Sequence, residues 1–137
     1  FNAAIAEKLV LLKSNWKLYR ASKPVAGVLS TKTGNEIHFI NIQSNYEVNG
    51  VKFRNCRRLG SLNTDQGPYL MDAQVCKIEG NAKVLVGSKK SAAIVDIKDK
   101  NRRVIVILDT AFLANRSPNI NRDWLSKILA SKQVLRK

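Results

Sequence analysis

The stretch that decides the fold is AAIVDIKDKNRRVIVILD, residues 92–109. It holds two apolar runs, 92–98 and 103–109, on either side of the charged segment 99–102. Each run has the length of a strand, and β-branched residues dominate both runs. We therefore expect two strong strands that are joined by a charged tip.

The chain before this pair predicts further strands. Asn49-Gly50 separates two short β-rich runs, 46–48 and 51–53, and this is the strongest hairpin signal in the chain because a type I′ turn needs two residues that tolerate a positive φ. The segment 59–68 is polar and contains glycine, so we expect a loop there. Other strands are predicted at 25–29, 36–42, 69–78 and 83–86, which gives a β-rich middle over residues 25–109.

Helices are predicted at both ends of the chain. Apolar residues at helical spacing form one stripe over residues 2–20, namely Ile5, Leu9, Leu12, Trp16 and Tyr19. A second apolar face follows the helix-start signal at Pro118, which predicts a helix over about residues 118–134. We expect a single α+β domain, residues 1–137, with a largely antiparallel sheet of about six to eight strands flanked by an N-terminal and a C-terminal helix.

The composition points to an anionic partner. The 137 residues include 24 Lys+Arg against 10 Asp+Glu, a formal net charge of +14, while 45% of the residues are apolar. The apolar content supports a folded core, and a net charge this far from zero bears on partners and solubility rather than on the fold. The apolar runs are strand-sized and do not reach the roughly 18–20 residues of a membrane helix, so we expect no transmembrane segment.

The densest basic segment is 52–58, which carries four cations and no acid. If Val51 and Phe53 point to the core, alternation sends Lys52 and Arg54 to the other face, and Arg57 and Arg58 leave the strand into the following loop. Guanidinium groups bind phosphate in a bidentate manner, and the charged tip could reach the same ligand. The predicted nucleic-acid-binding residues are Lys52, Arg54, Arg57, Arg58, Lys98, Lys100, Arg102 and Arg103.

Aromatic support for base recognition is thin. We expect Phe39, Tyr46, Phe53 and Tyr69 to serve mainly in packing, although one or two could stack on bases. The sequence carries no RNP-like motif and no helix-turn-helix pattern, so binding through the phosphate backbone is favoured. The leading hypothesis is a non-enzymatic module that binds RNA or DNA as part of a larger assembly.

A nuclease is the second hypothesis. Asp72, followed on a later strand by Asp96-Ile97-Lys98, resembles the core motif of the PD-(D/E)xK nucleases. The resemblance implies that Asp72 and Asp96 hold Mg²⁺ and that Lys98 helps to activate water. Met71 stands where that family prefers proline, and an extra strand at 83–86 lengthens the spacing. Without this activity we expect no catalytic residue, no metal and no cofactor.

The remaining expectations concern partners and compartment. A third hypothesis is a non-enzymatic assembly subunit whose charge meets an acidic protein partner. Cys56 and Cys76 could form one bridge, but we expect two reduced thiols, since a domain of this size does not need a disulfide. An intracellular location is favoured. Asp109 ends the last strand, and we expect it to cap the turn that follows.

Overall fold

The computed structural model describes residues 4, 16–19, 25–31, 35–42, 46–63, 67–100, 102–113 and 118–130. The strands are β1 (Trp16–Tyr19), β2 (Val25–Thr31), β3 (Glu36–Ile40), β4 (Tyr46–Val48), β5 (Val51–Asn63), β6 (Tyr69–Glu79), β7 (Lys83–Ser88), β8 (Ser91–Asp99) and β9 (Arg102–Ile107). One helix, α1 (Asn119–Ala130), follows them.

In the described part of the chain, nine strands form one sheet with the order β1-β2-β3-β9-β8-β6-β5-β4, and β7 pairs with β8 off this path. The pairing is antiparallel throughout except between β3 and β9, which are parallel. The sheet curls into a half-barrel. The expectation of a largely antiparallel sheet is therefore correct. The architecture around it differs from the expected one.

The expected α+β class with a helix at each end is wrong, because the described chain is mostly sheet with one short helix. Trp16–Tyr19, predicted as the end of a helix over 2–20, pairs with β2 as a strand, with Trp16 opposite Thr31. This four-residue segment also alternates in polarity, and pairing with the free edge of β2 overrides the helical spacing. Of the rest of that predicted helix, only Ala4 is described, and it is helical.

The 92–109 hairpin lies at the centre of the sheet. Ile94 stands opposite Ile107 and Lys98 opposite Arg103, as the two apolar runs predict. Ile105 and Ile107 belong to one core cluster, and Val104, Val106 and Leu108 belong to a second. Both faces of this strand are covered, which explains why the run is continuously apolar rather than alternating.

The hairpin formed by β5 and β6 differs most from the expectation. β5 continues to Asn63, so Arg57 and Arg58 lie within a strand and not in a loop. Three register shifts interrupt the pairing with β6, between Arg54 and Arg57, between Arg58 and Gly60, and between Gly60 and Leu62. The first two give β5 an extra residue and the third gives β6 one, and such bulges bend and twist a strand. They help to curl this end of the sheet.

Cys56 and Cys76 form a disulfide between β5 and β6, so the expectation of two reduced thiols is wrong. The bulge at Asn55, whose φ is +52°, leaves Cys56 facing Cys76 across the ladder. Cross-linking a loop of this length stabilises the folded state by about 3 kcal/mol in the chain-entropy account. Disulfides of this kind are typical of proteins in oxidising compartments.

The helix α1 covers the first core cluster, and the predicted C-terminal helix is correct over its described span. Leu125 is fully buried, and the Trp124 ring meets the Phe112 ring edge-on with centroids 5.8 Å apart. The buried Asn121 amide accepts a hydrogen bond from the Tyr69 N–H at 2.7 Å and donates to the Tyr69 carbonyl at 2.7 Å. Residues 131–134 of the predicted helix lie outside the described residues. Within the described ranges, no helix combines the length and apolar character needed to cross a membrane.

Candidate nucleic-acid interface

One end of the β5–β6 hairpin carries exposed basic side chains on the face opposite to the second core cluster. Phe53 and Ile78 stand opposite each other and are buried in the second core cluster. Their neighbours point the other way: Lys52 is exposed, and Arg54 stands opposite the exposed Lys77. The expected outward orientation of Lys52 and Arg54 is therefore confirmed. Lys77 was not among the predicted site residues, because only the strand register reveals that it faces Arg54.

The bulge at Asn55–Cys56 adds Arg57 to this face. Arg57 pairs with Val75, two residues before Lys77, so the two β6 side chains lie on the same side of the sheet. Arg57 is three residues after Arg54, so strict alternation would place it on the opposite face, and the extra residue in β5 brings it to the face of Arg54. The Arg57 side chain is exposed. Local structure thus aligns Arg54, Arg57 and Lys77 on one face.

Carboxylates neutralise part of this charge. Glu79 accepts a hydrogen bond from Arg54 Nε at 2.7 Å and lies 3.8 Å from Lys77 Nζ. Arg58 Nε donates to Asp72 at 2.7 Å, although the Arg58 side chain is 74% exposed. These ion pairs are open to solvent and contribute little to stability. Lys52 and Arg57 have no carboxylate within ion-pair distance among the described side chains.

The turn between β7 and β8 brings two more lysines to the same end of the hairpin. The Ile78 N–H donates to the Lys89 carbonyl at 2.9 Å, and Lys89 Nζ donates to the Gly80 carbonyl at 3.0 Å. Lys89 and Lys90 are both exposed. We call the exposed cations gathered here the hairpin patch: Lys52, Arg57, Lys77, Lys89 and Lys90.

A second group lies at the β8–β9 turn. Lys98, Lys100 and Arg102 are exposed there, and Lys83 of β7 stands opposite Asp96, on the same face as Lys98. We call Lys83, Lys98, Lys100 and Arg102 the tip patch. Lys90 and Lys98 lie at opposite ends of β8, about 25 Å apart for an extended strand. The predicted residues 52–58 and 98–103 therefore do not converge.

Arg103 is not available to a ligand. It is 4% exposed, and its Nε and Nη2 atoms each donate to the buried Asp96 carboxylate at 2.8 Å. Its backbone N–H also donates to Asn35 Oδ1 at 2.9 Å. Alternation explains this placement, because Arg103 lies two residues before the buried Ile105 on the same face. Arg103 acts as an internal anchor for the tip and not as a phosphate contact.

The residues of the nuclease hypothesis are not brought together. Asp96 stands opposite Ile105, whereas the Asp72 N–H hydrogen-bonds to Asp109. Both carboxylates accept hydrogen bonds from arginines. Among the described residues, no group of three or more His, Cys, Asp and Glu side chains could hold a metal ion.

Asp109 is a buried carboxylate that accepts hydrogen bonds from backbone N–H groups. It is 1% exposed and accepts hydrogen bonds from the Ala111 N–H at 2.8 Å and the Met71 N–H at 3.0 Å. Burial raises the pKa of Asp109, and the hydrogen bonds from Ala111, Met71 and Asp72 offset only part of that effect. The expected turn cap is confirmed, and the same carboxylate also ties β6 to the end of the central hairpin.

The aromatic residues of the strands serve mainly in packing. Phe39 and Phe53 are fully buried, and the Tyr46 ring lies 6.0 Å from the Phe53 ring between centroids. Burial, with a smaller contribution from the charge of Glu36, raises the pKa of Tyr46. The carboxylate of Glu36 contacts His38 Nε2 at 2.7 Å. These contacts support the expected packing role for the two phenylalanines.

Lys13 and Arg20 lie outside the described residues, as does the tail beyond the helix. Lys127 is exposed on α1.

No protein-family model, curated protein or solved structure matches the chain. Any proposal about function therefore depends on the geometry of the two patches.

Proposed function

We propose that the protein binds nucleic acid, RNA or DNA, through the phosphate backbone, with the hairpin patch as the contact surface. One observation carries the proposal: β5, β6 and the β7–β8 turn gather five exposed cations at one end of the β5–β6 hairpin. A patch of one sign attracts a polyanion and releases its condensed counterions.

The arrangement favours backbone contact over base reading. The described large apolar side chains that are exposed are Leu59 and Ile120, so the aromatic rings of the hairpin do not form a stacking platform. Lysine and arginine on a strand surface reach phosphate oxygens regardless of base identity. We therefore expect similar affinity for unrelated sequences of equal length.

The nuclease hypothesis is not carried forward, because Asp72 and Asp96 are each held by an arginine at separate places. The assembly-subunit hypothesis has no observation that identifies a protein partner. Neither adds residues to the hairpin patch, so backbone binding is the function that the geometry supports best.

The test is the salt dependence of binding, measured by fluorescence anisotropy with a labelled duplex. Each phosphate contact contributes a slope of about −0.9 to a plot of log K against log salt. Lys77→Glu should reduce the magnitude of that slope by about 1. The matched control is Lys127→Glu, which makes the same charge change on α1, a helix attached at the opposite end of β6.

Equal losses in Lys77→Glu and Lys127→Glu would show that net charge alone matters and would contradict a defined surface. Absence of binding at low ionic strength would overturn the proposal itself. Circular dichroism of both variants checks that the sheet is retained.

A further inference from the structure

The tip patch is the strongest charged feature that the proposed function leaves unused. Its cations are Lys83, Lys98, Lys100 and Arg102. Lys83 and Lys98 share one face of the β7–β8 ladder, since Lys83 stands opposite Asp96 and Lys98 follows two residues later. The carboxylate opposite Lys83, Asp96, is buried and bonded to Arg103.

Hydrogen bonds connect the base of the tip to β3 and connect β8 to β9. Arg103 donates two hydrogen bonds to Asp96, and its N–H reaches Asn35 at the start of β3. The ladder between β8 and β9 continues to the pair Asp99 and Arg102. Three strands therefore fix the position of the tip cations relative to the centre of the sheet. The distance between two such surfaces sets the length of ligand that can contact both at once.

The hairpin patch lies at the other end of β8, where hydrogen bonds also hold the neighbouring elements together. The β7–β8 turn is hydrogen-bonded to β6 through Ile78 and Gly80. β8 runs directly from this turn to the tip. The two patches are thus separated by about 25 Å of extended strand, a span that corresponds to about 8 base pairs at 3.4 Å per base pair.

We propose that the two patches form a bivalent site for one polyanion, nucleic acid of at least about 8 base pairs, whereas shorter polyanions occupy a single patch. The inference rests on the proposed function and adds a length requirement to it. When one patch is occupied, the second binding event becomes intramolecular, so a spanning ligand gains avidity without any new kind of contact.

The experiment compares two DNA hairpins that share one loop, with stems of 5 and 15 base pairs. Anisotropy titrations are run over a series of salt concentrations with the full chain. For the wild type, the long stem should bind at least about 10-fold more tightly at low salt, and its salt slope should be steeper by about 2 or more. The slope separates avidity from the larger number of sites on a longer ligand.

The variant Lys98→Glu/Lys100→Glu/Arg102→Glu should bring the long-stem slope down to the short-stem value and change short-stem affinity by at most about twofold. The corresponding glutamine variant removes the same charges with a smaller perturbation, and it should give the same pattern with a smaller loss. The variant Arg57→Glu/Lys77→Glu/Lys90→Glu carries the same charge change on the hairpin patch and should weaken both stems.

Equal slopes for the two stems in the wild type overturn the bivalent site while leaving the proposed function intact. The bivalent site is also overturned, and the proposed function left intact, if the tip variant lowers short-stem and long-stem binding by the same factor. If neither stem binds the wild type at low salt, the proposed function itself fails.

Discussion

At the scale of single residues, the charged side chains of the central hairpin divide into an internal pair and an external group. Asp96 and Arg103 are buried and form an ion pair, while Lys98 and Arg102 beside them are exposed. All four belong to a short charged stretch and look equivalent in the sequence. Their roles differ because Arg102 lies on the opposite face of the sheet, while Lys98 shares the face of Asp96 and Arg103 but lies at its exposed end.

The buried pair leads to the first prediction. Arg103→Met should lower the free energy of unfolding by about 3–5 kcal/mol, because it leaves the Asp96 carboxylate buried without its partner. The double variant Asp96→Leu/Arg103→Met should cost much less, since apolar residues of similar volume carry no desolvation penalty. Urea denaturation of the two variants measures both effects. A double variant as unstable as the single one would contradict the pairing.

Asp109 leads to a prediction about pH. Burial raises the pKa of Asp109 above its ordinary value of 3.8, so the folded state holds the proton more tightly than the unfolded state. The resulting stabilisation is fully present below pH 3.8 and is lost as the pH rises through the folded-state pKa.

Asp109→Asn removes this titration from the protein. The wild type should therefore gain stability relative to Asp109→Asn as the pH falls through the folded-state pKa. Unfolding free energies of both proteins, measured at several pH values between neutrality and pH 4, check the sign. A difference that is independent of pH, or that changes in the opposite direction, would show that Asp109 is not buried as described.

At the scale of elements, bulges and tight turns decide which residues reach the outer surface. The extra residue at Asn55 brings Arg57 beside Lys77, and the turn after β7 brings Lys89 to Gly80. β7 itself shifts register between Val86 and Gly87. Such irregularities position side chains that a strictly alternating strand would place elsewhere.

Two glycines provide a matched test of this geometry. Gly87 has a φ of +101°, and an added Cβ would lie 2.3 Å from the Ser91 carbonyl oxygen. Gly60 has a φ of +84° and no atom within 4 Å of the same position. We expect Gly60→Ala to cost about 1 kcal/mol through backbone conformation alone, and Gly87→Ala to cost clearly more, because backbone must move.

Thermal or urea denaturation of the two glycine variants measures the difference. If both variants lost the same stability, the close approach of Ser91 to Gly87 would not exist in solution. Because Gly87 precedes the Lys89–Lys90 turn, Gly87→Ala should also weaken nucleic-acid binding through the hairpin patch, while Gly60→Ala should not.

At the scale of the whole molecule, the net charge of +14 is distributed over separate places rather than one surface. The hairpin patch and the tip patch lie at opposite ends of β8, and Lys127 lies on α1. Like charges distributed in this way repel one another in the folded protein. The same charge that favours a polyanion therefore reduces stability when no polyanion is bound.

The prediction at this scale is that salt stabilises the free protein. Raising KCl from about 20 to 300 mM shortens the Debye length from about 20 Å to below 8 Å and screens the repulsion between the patches. The free energy of unfolding in urea should rise by about 1 kcal/mol over this range. A fall in stability with salt would mean that surface ion pairs outweigh the repulsion.

The sequence alone determined the central hairpin, the Asn49-Gly50 turn, the outward orientation of Lys52 and Arg54, and the last helix over its described span. These features depend on contacts between residues close together in the chain, which alternation and turn chemistry reveal. The net positive charge is likewise a property of composition.

Only the tertiary structure decided the half-barrel, the strand at Trp16–Tyr19, the continuation of β5, the Cys56–Cys76 bridge and the separation of the two basic patches. Each depends on which strands become neighbours and in what register. A register shift of one residue moves a side chain to the other face of a sheet. The register shift before Arg57 changes the face on which its side chain lies, and no local pattern around Arg57 contains that information.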